Sequence, residues 1–181
     1  MAEEENNYLT FDIFRDDTEG VSKLNRICLD LHHDKVAYYC DVTPEQVAIH
    51  RGDKDGPIIA TSDSFKSQDG ITEISLTEMG ATIPIRHKHH TMPFLAGDTF
   101  FRAEGKQFKW KKHTELVEED TGTLLASFQV ARGSSHLGSL YVFPPGEAMV
   151  DTIIITSLVD QERSDEKRMK VKGLRRILLI L

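Results

Sequence analysis

Short runs of alternating apolar and polar residues recur about every ten positions through most of the chain, and this limits the fold more than any other feature. In YLTFDIF (Tyr8 to Phe14), Phe11 and Ile13 share one face, and in RICLDL (Arg26 to Leu31), Ile27, Leu29 and Leu31 share one. KVAYYCDV, QVAIH, GPIIATS and ITEISL follow, separated by the turn-forming stretches HHD, RGDKDGP and KSQDG. DTFFRAEGKQFKWKKH then reads as a hairpin turning at Glu104-Gly105-Lys106, and TELVEEDTG, TLLASFQVA and GSLYVF continue the series. About twelve strands are expected before Pro144, in an all-β barrel or sandwich.

The pattern changes after PPG (Pro144 to Gly146). Met149 to Val159 is apolar around nearly its whole circumference, and a charged stretch follows without Gly or Pro as far as Lys170. Isoleucines and threonines favour a strand there, whereas length and the charged continuation favour a helix. A helix apolar on all sides has to be buried on all sides, threaded through a barrel or clamped on a sheet.

FKWKK (Phe108 to Lys112) holds the one tryptophan. Strand alternation puts Phe108 and Trp110 on one side and Gln107, Lys109, Lys111 and His113 on the other. That favours Trp110 in the core over a stacking surface for single-stranded nucleic acid, which needs the ring exposed. It leaves Lys109, Lys111 and His113 as candidates for an anion-binding face.

The order of motifs carries a family resemblance. FFRAEGKQFKWK, then ELVEEDTGTLLASF, then LYVFPPGEAMVDTIIITSLVDQER resembles an uncharacterised fungal family of the tubby C-terminal-like group, which takes in LURP-one and scramblase-like proteins. The resembling stretch runs from about Thr99 to Arg168. It implies a twelve-stranded antiparallel barrel around a hydrophobic C-terminal helix, with Met149 to Val159 as the plug and Asp160 onward as its polar exit. The group includes phosphoinositide-binding and scramblase-related members, but their lipid-contacting residues lie outside the matching stretch.

Composition fits a single soluble domain: 181 residues, 39% hydrophobic and 28% charged. The expected division is an acidic N-terminus over 1–7, a barrel over 8–168 and a basic, apolar tail over 169–181. The formal net charge of -7 argues against nucleic-acid binding as the overall role. Charge is uneven: residues 161–181 carry seven Lys/Arg against three Asp/Glu, while the first 160 carry 15 against 26. Two cysteines, Cys28 and Cys40, make no disulfide framework, though one bridge is open to them if their strands are neighbours. The acidic start lacks signal-peptide character, so a cytoplasmic, at most peripheral-membrane, location is expected.

In RHKHH (Arg86 to His90), His87 and His89 share a face on a strand, the pairing used by β-scaffold metal sites. The carboxylate that follows such a pair in cupins is missing, so a third ligand would have to come from elsewhere, with His50, His113 and Glu78 as candidates. This defines the alternative reading, a metal-dependent cupin-like enzyme; otherwise no cofactor is expected. LHHDK and GDKDG read as turns, and GSSH lacks a nucleophile elbow. In the tail, Lys167, Arg168, Lys170, Lys172, Arg175 and Arg176 can face anionic lipid, and Leu174, Ile177, Leu178 and Leu181 can enter the interface. The function that follows is a non-enzymatic barrel binding an anionic phospholipid surface or a protein partner through Lys109, Lys111, Lys170, Lys172, Arg175 and Arg176.

Overall fold

The computed structural model describes residues 7–22, 24–43, 45–63, 71–78, 80–88, 97–131 and 135–161. Twelve strands run in chain order: β1 (Leu9–Arg15), β2 (Arg26–Asp30), β3 (Lys35–Val42), β4 (Gln46–Arg51), β5 (Ile58–Asp63), β6 (Ile71–Leu76), β7 (Ala81–Lys88), β8 (Asp98–Ala103), β9 (Lys106–Lys111), β10 (Glu115–Glu118), β11 (Leu124–Val130) and β12 (His136–Val142). Each pairs antiparallel with its neighbours in sequence, and β1 pairs with β12 to close the barrel. Closure removes the sheet edges on which an open sheet risks pairing with another chain.

Alternation along the strands becomes inside and outside. Ile13, Ile49, Ile74, Ile85, Leu116 and Leu140 are each at most 1% exposed. The interior is filled by the segment whose periodicity was ambiguous. A 3-10 turn at Pro144–Met149, with proline at its start, leads into a helix, α1, over residues 150–161. Residues 153–160 are all buried, two full turns with no wet face. A helix of this kind is stable only when surrounded, so the barrel wall supplies what the isoleucines lack in intrinsic preference.

Three details depart from the alternation or adjust it. The face of β2 that carries Ile27 and Leu29 is only half-buried, while Arg26 and Cys28 on the opposite face are buried. Arg26 is accommodated there because its guanidinium donates to the carbonyls of Leu24 and Asn25. Cys28 and Cys40 lie on neighbouring strands, but Cys28 pairs with Tyr38 and Cys40 with Arg26, a diagonal step apart, and they are not joined. The β8–β9 turn is narrower than expected: Glu104 and Gly105, both at positive φ, make it, and Lys106 already begins β9.

Candidate functional site

Two polar clusters grip the ends of α1. At its start, Asp151 accepts from the Tyr38 hydroxyl and from Arg51, whose Nη2 lies 2.9 Å from Oδ2. Arg51 also reaches Glu78 at 3.1 Å. Partial burial pushes the Asp151 carboxyl up, but the bonds from Arg51 and Tyr38 outweigh it and hold the group below the ordinary carboxylate value. Burial, and then the bond to Asp151, push the Tyr38 phenol well above its usual range.

At the other end, Asp160 is 1% exposed. Its Oδ1 lies 2.6 Å from the Thr99 hydroxyl and its Oδ2 lies 2.6 Å from Nδ1 of His113. His87 places Nδ1 at 3.1 Å from the Thr99 oxygen and 3.8 Å from Asp160. A carboxylate only accepts, so Thr99 and His113 donate to it, and the Thr99 oxygen is left to accept from His87 Nδ1–H. Between the ends, Trp110 donates from Nε1 to the Thr156 hydroxyl at 3.1 Å, and that hydroxyl donates to the Thr152 carbonyl at 2.8 Å. The helix is therefore tied to β3 and β4 by the half-exposed Asp151, and to β7, β8, β9 and the β9–β10 turn by the buried Thr156 and Asp160.

The burial of Asp160 corrects the expectation that the helix leaves the barrel there. The signal was present in the spacing of Thr152, Thr156 and Asp160, one face of a helix at every fourth residue. It was hidden because a carboxylate beside a charged run reads as solvated. His113, expected on the outer side with Lys109 and Lys111, instead meets Asp160, because β9 ends at Lys111 and the positive φ of Lys112 and His113 breaks the alternation. Nothing local to His113 or Thr99 announces that they share one carboxylate across more than 45 residues of chain.

His87, the metal candidate, faces Thr99 and Asp160, while His89 lies outside the described residues. Of the third ligands weighed with it, His50 bonds the Gly56 carbonyl, Glu78 pairs with Arg51 and only His113 stands in the same cluster. Among the described residues, no group of three His, Cys, Asp or Glu side chains could hold a metal ion. Lys109 and Lys111 alternate with the buried Phe108 and Trp110 and stand on the outer wall. Lys170, Lys172, Arg175 and Arg176 lie outside the described residues. Among the described residues no helix is long and apolar enough to cross a membrane, which says nothing of strands.

The fold class is a closed twelve-stranded antiparallel barrel wrapped on one C-terminal helix that polar contacts hold in place. Residues 22–166 match the model of a family of unknown function, DUF6593, and the chain belongs to that family. No curated protein matches it. Among solved structures, it is similar to the X-ray structure of a protein from Arabidopsis thaliana, AT5G01750, at 10% identity and a TM-score of 0.53, over 86% of this chain and 92% of that one. At that identity the likeness shows a shared fold.

Proposed function

We propose that this protein is a non-enzymatic barrel module that binds an anionic phospholipid surface. The observation that carries the reading is the placement of Lys109 and Lys111 on the outer wall, with no ion pair among the described residues, in a chain of net charge -7. A cation without a carboxylate partner on an acidic protein is available to an external anion. The basic and apolar composition of residues 169–181 suits the same partner. The barrel around a core helix is the architecture implied by the resemblance to the tubby C-terminal-like group, whose members include phosphoinositide binders. The polar clusters at the two ends of α1 support the non-enzymatic part, since the buried Asp160 and the half-exposed Asp151 are engaged in holding the helix.

Co-sedimentation of the full chain with vesicles tests this. Binding to vesicles containing phosphatidylserine, weakened by moderate salt and absent with phosphatidylcholine alone, is expected. Equal recovery with both vesicle types, or none with either, removes the reading.

A further inference from the structure

The register of the barrel puts residues distant in sequence into one outward row. Arg86 on β7 pairs with Phe100 on β8, and Phe100 pairs with Lys109 on β9. All three stand on the wall's outer side, since their strand neighbours Ile85, Phe101, Phe108 and Trp110 are buried. Directly paired residues have their side chains within about 5.5 Å at the Cβ atoms, so this is a continuous patch. Arg102 lies two residues from Phe100 along β8, and Lys111 two residues from Lys109 along β9, both on the same side.

The Phe100 ring organises the patch. Lys109 Nζ sits 5.6 Å from the ring centroid, within reach of the attraction between a cation and an aromatic face. Lys109 is thereby held over the wall instead of sweeping freely. Among the described residues, Arg86, Arg102, Lys109 and Lys111 make no ion pair, whereas Arg51 and Lys106 elsewhere are paired with carboxylates. Acids stand beside these cations: Asp98 shares the outer side of β8, two residues from Phe100. Glu73 on β6 is opposite Pro84, Glu115 on β10 is opposite Lys111, and Asp98 at the rim accepts from the Lys112 backbone.

We infer that the barrel wall of β7, β8 and β9, centred on Phe100 and flanked by Arg86, Arg102, Lys109 and Lys111, is itself the surface that docks on an anionic phospholipid bilayer. The inference deepens the proposed function and rests on it, because it extends the Lys109 and Lys111 face to Arg86, Phe100 and Arg102 and makes this preformed wall, ahead of the tail, the contact. Two guanidinium and two ammonium groups spread over three strands meet an array of headgroup phosphates and carboxylates, for which a flat distribution of anions is the complementary partner. A partly exposed phenylalanine among cations suits the bilayer interface, where an apolar ring enters the headgroup–acyl boundary while the cations stay at the phosphates.

The test uses the full chain, the charge-reversed Arg86→Glu/Lys109→Glu, Phe100→Ala, Lys35→Glu as a reversal elsewhere on the barrel, and a chain ending at Arg168. Each is sedimented with phosphatidylcholine vesicles with and without phosphatidylserine, and titrated with polyglutamate. Far-ultraviolet circular dichroism and the emission of buried Trp110 report the fold, and Arg86→Gln/Lys109→Gln replaces the reversal should that fail to fold. The wall reading expects the double reversal to lose about tenfold or more in vesicle affinity, and the neutralising pair somewhat less. Phe100→Ala should lose a few-fold, while Lys35→Glu and the shortened chain keep most of the binding. Vesicle binding that survives the wall variants but disappears with the tail overturns the wall and leaves the proposed function standing. Capture of polyglutamate without vesicle binding overturns both, as does an intact full chain that binds no vesicle.

Discussion

Trp110 donates its indole N–H to Thr156 on the core helix, and this separates the effects of two substitutions at that residue. Trp110→Phe keeps most of the apolar volume and removes the donor, at a cost of about 1–2 kcal/mol. Trp110→Ala also opens a cavity in a site only 1% exposed, at a cost of about 3–5 kcal/mol. Urea unfolding followed by circular dichroism should order the variants in that way, and near-equal midpoints for the two would mean that packing around the ring relaxes freely. Asp160 behaves differently, because its partners are all donors. Asp160→Ala leaves Thr99 and His113 facing an apolar gap, and a loss of several kcal/mol is expected. Asp160→Asn keeps one acceptor but points an amide at a donor, so it should recover only part of the loss in the same measurement. A recovery to parental stability would show that the cluster tolerates either polarity.

At the scale of elements, strands were readable because a half-buried strand must alternate, and local sequence states that requirement directly. The helix was not settled by its own residues. Ile153, Ile154 and Ile155 favour a strand, and only enclosure by the barrel makes an apolar circumference acceptable. Register was illegible for a different reason: Arg86, Phe100 and Lys109 become neighbours through turns whose lengths fix the pairing, and no single run records it. β12 gives an element-level prediction. Gly138 has φ +156, and a Cβ there would stand 2.3 Å from the Gln129 carbonyl oxygen and 2.6 Å from the Phe128 ring. Backbone on β11 cannot yield as a flexible side chain would, so Gly138→Ala should cost about 2 kcal/mol or more. Gly122, at φ +71 with nothing within 4 Å, is the comparison: its alanine variant should lose only about 1 kcal/mol, from backbone conformation alone. Thermal unfolding of the two variants should show the larger drop at Gly138, and the reverse order would place the strain in the β10–β11 turn.

For the molecule as a whole, closure of β1 on β12 and the two clamps on α1 join the ends of the fold to its centre. The clamp at Asp151 connects the helix with β3 and β4 through Tyr38 and Arg51. It also links global stability to pH. The folded Asp151 carboxyl is held below its unfolded value, so the folded state binds the proton less readily than the unfolded chain. Its contribution is then fully present above the unfolded value, about pH 4, and is lost as pH falls through the folded one. Asp16 adds a loss of the same sign, because its bonds with Thr18 and Tyr39 lower it as well. Asp151→Asn removes the titrating group at the helix start while keeping a polar side chain for Arg51 and Tyr38. The variant should be less stable than the parent at neutral pH, and the difference should narrow as the solution is acidified below about pH 4. Thermal midpoints of the two chains from neutral to acid pH measure this. Parallel curves would mean that the acid sensitivity of the barrel comes from carboxylates other than the one that anchors its core helix.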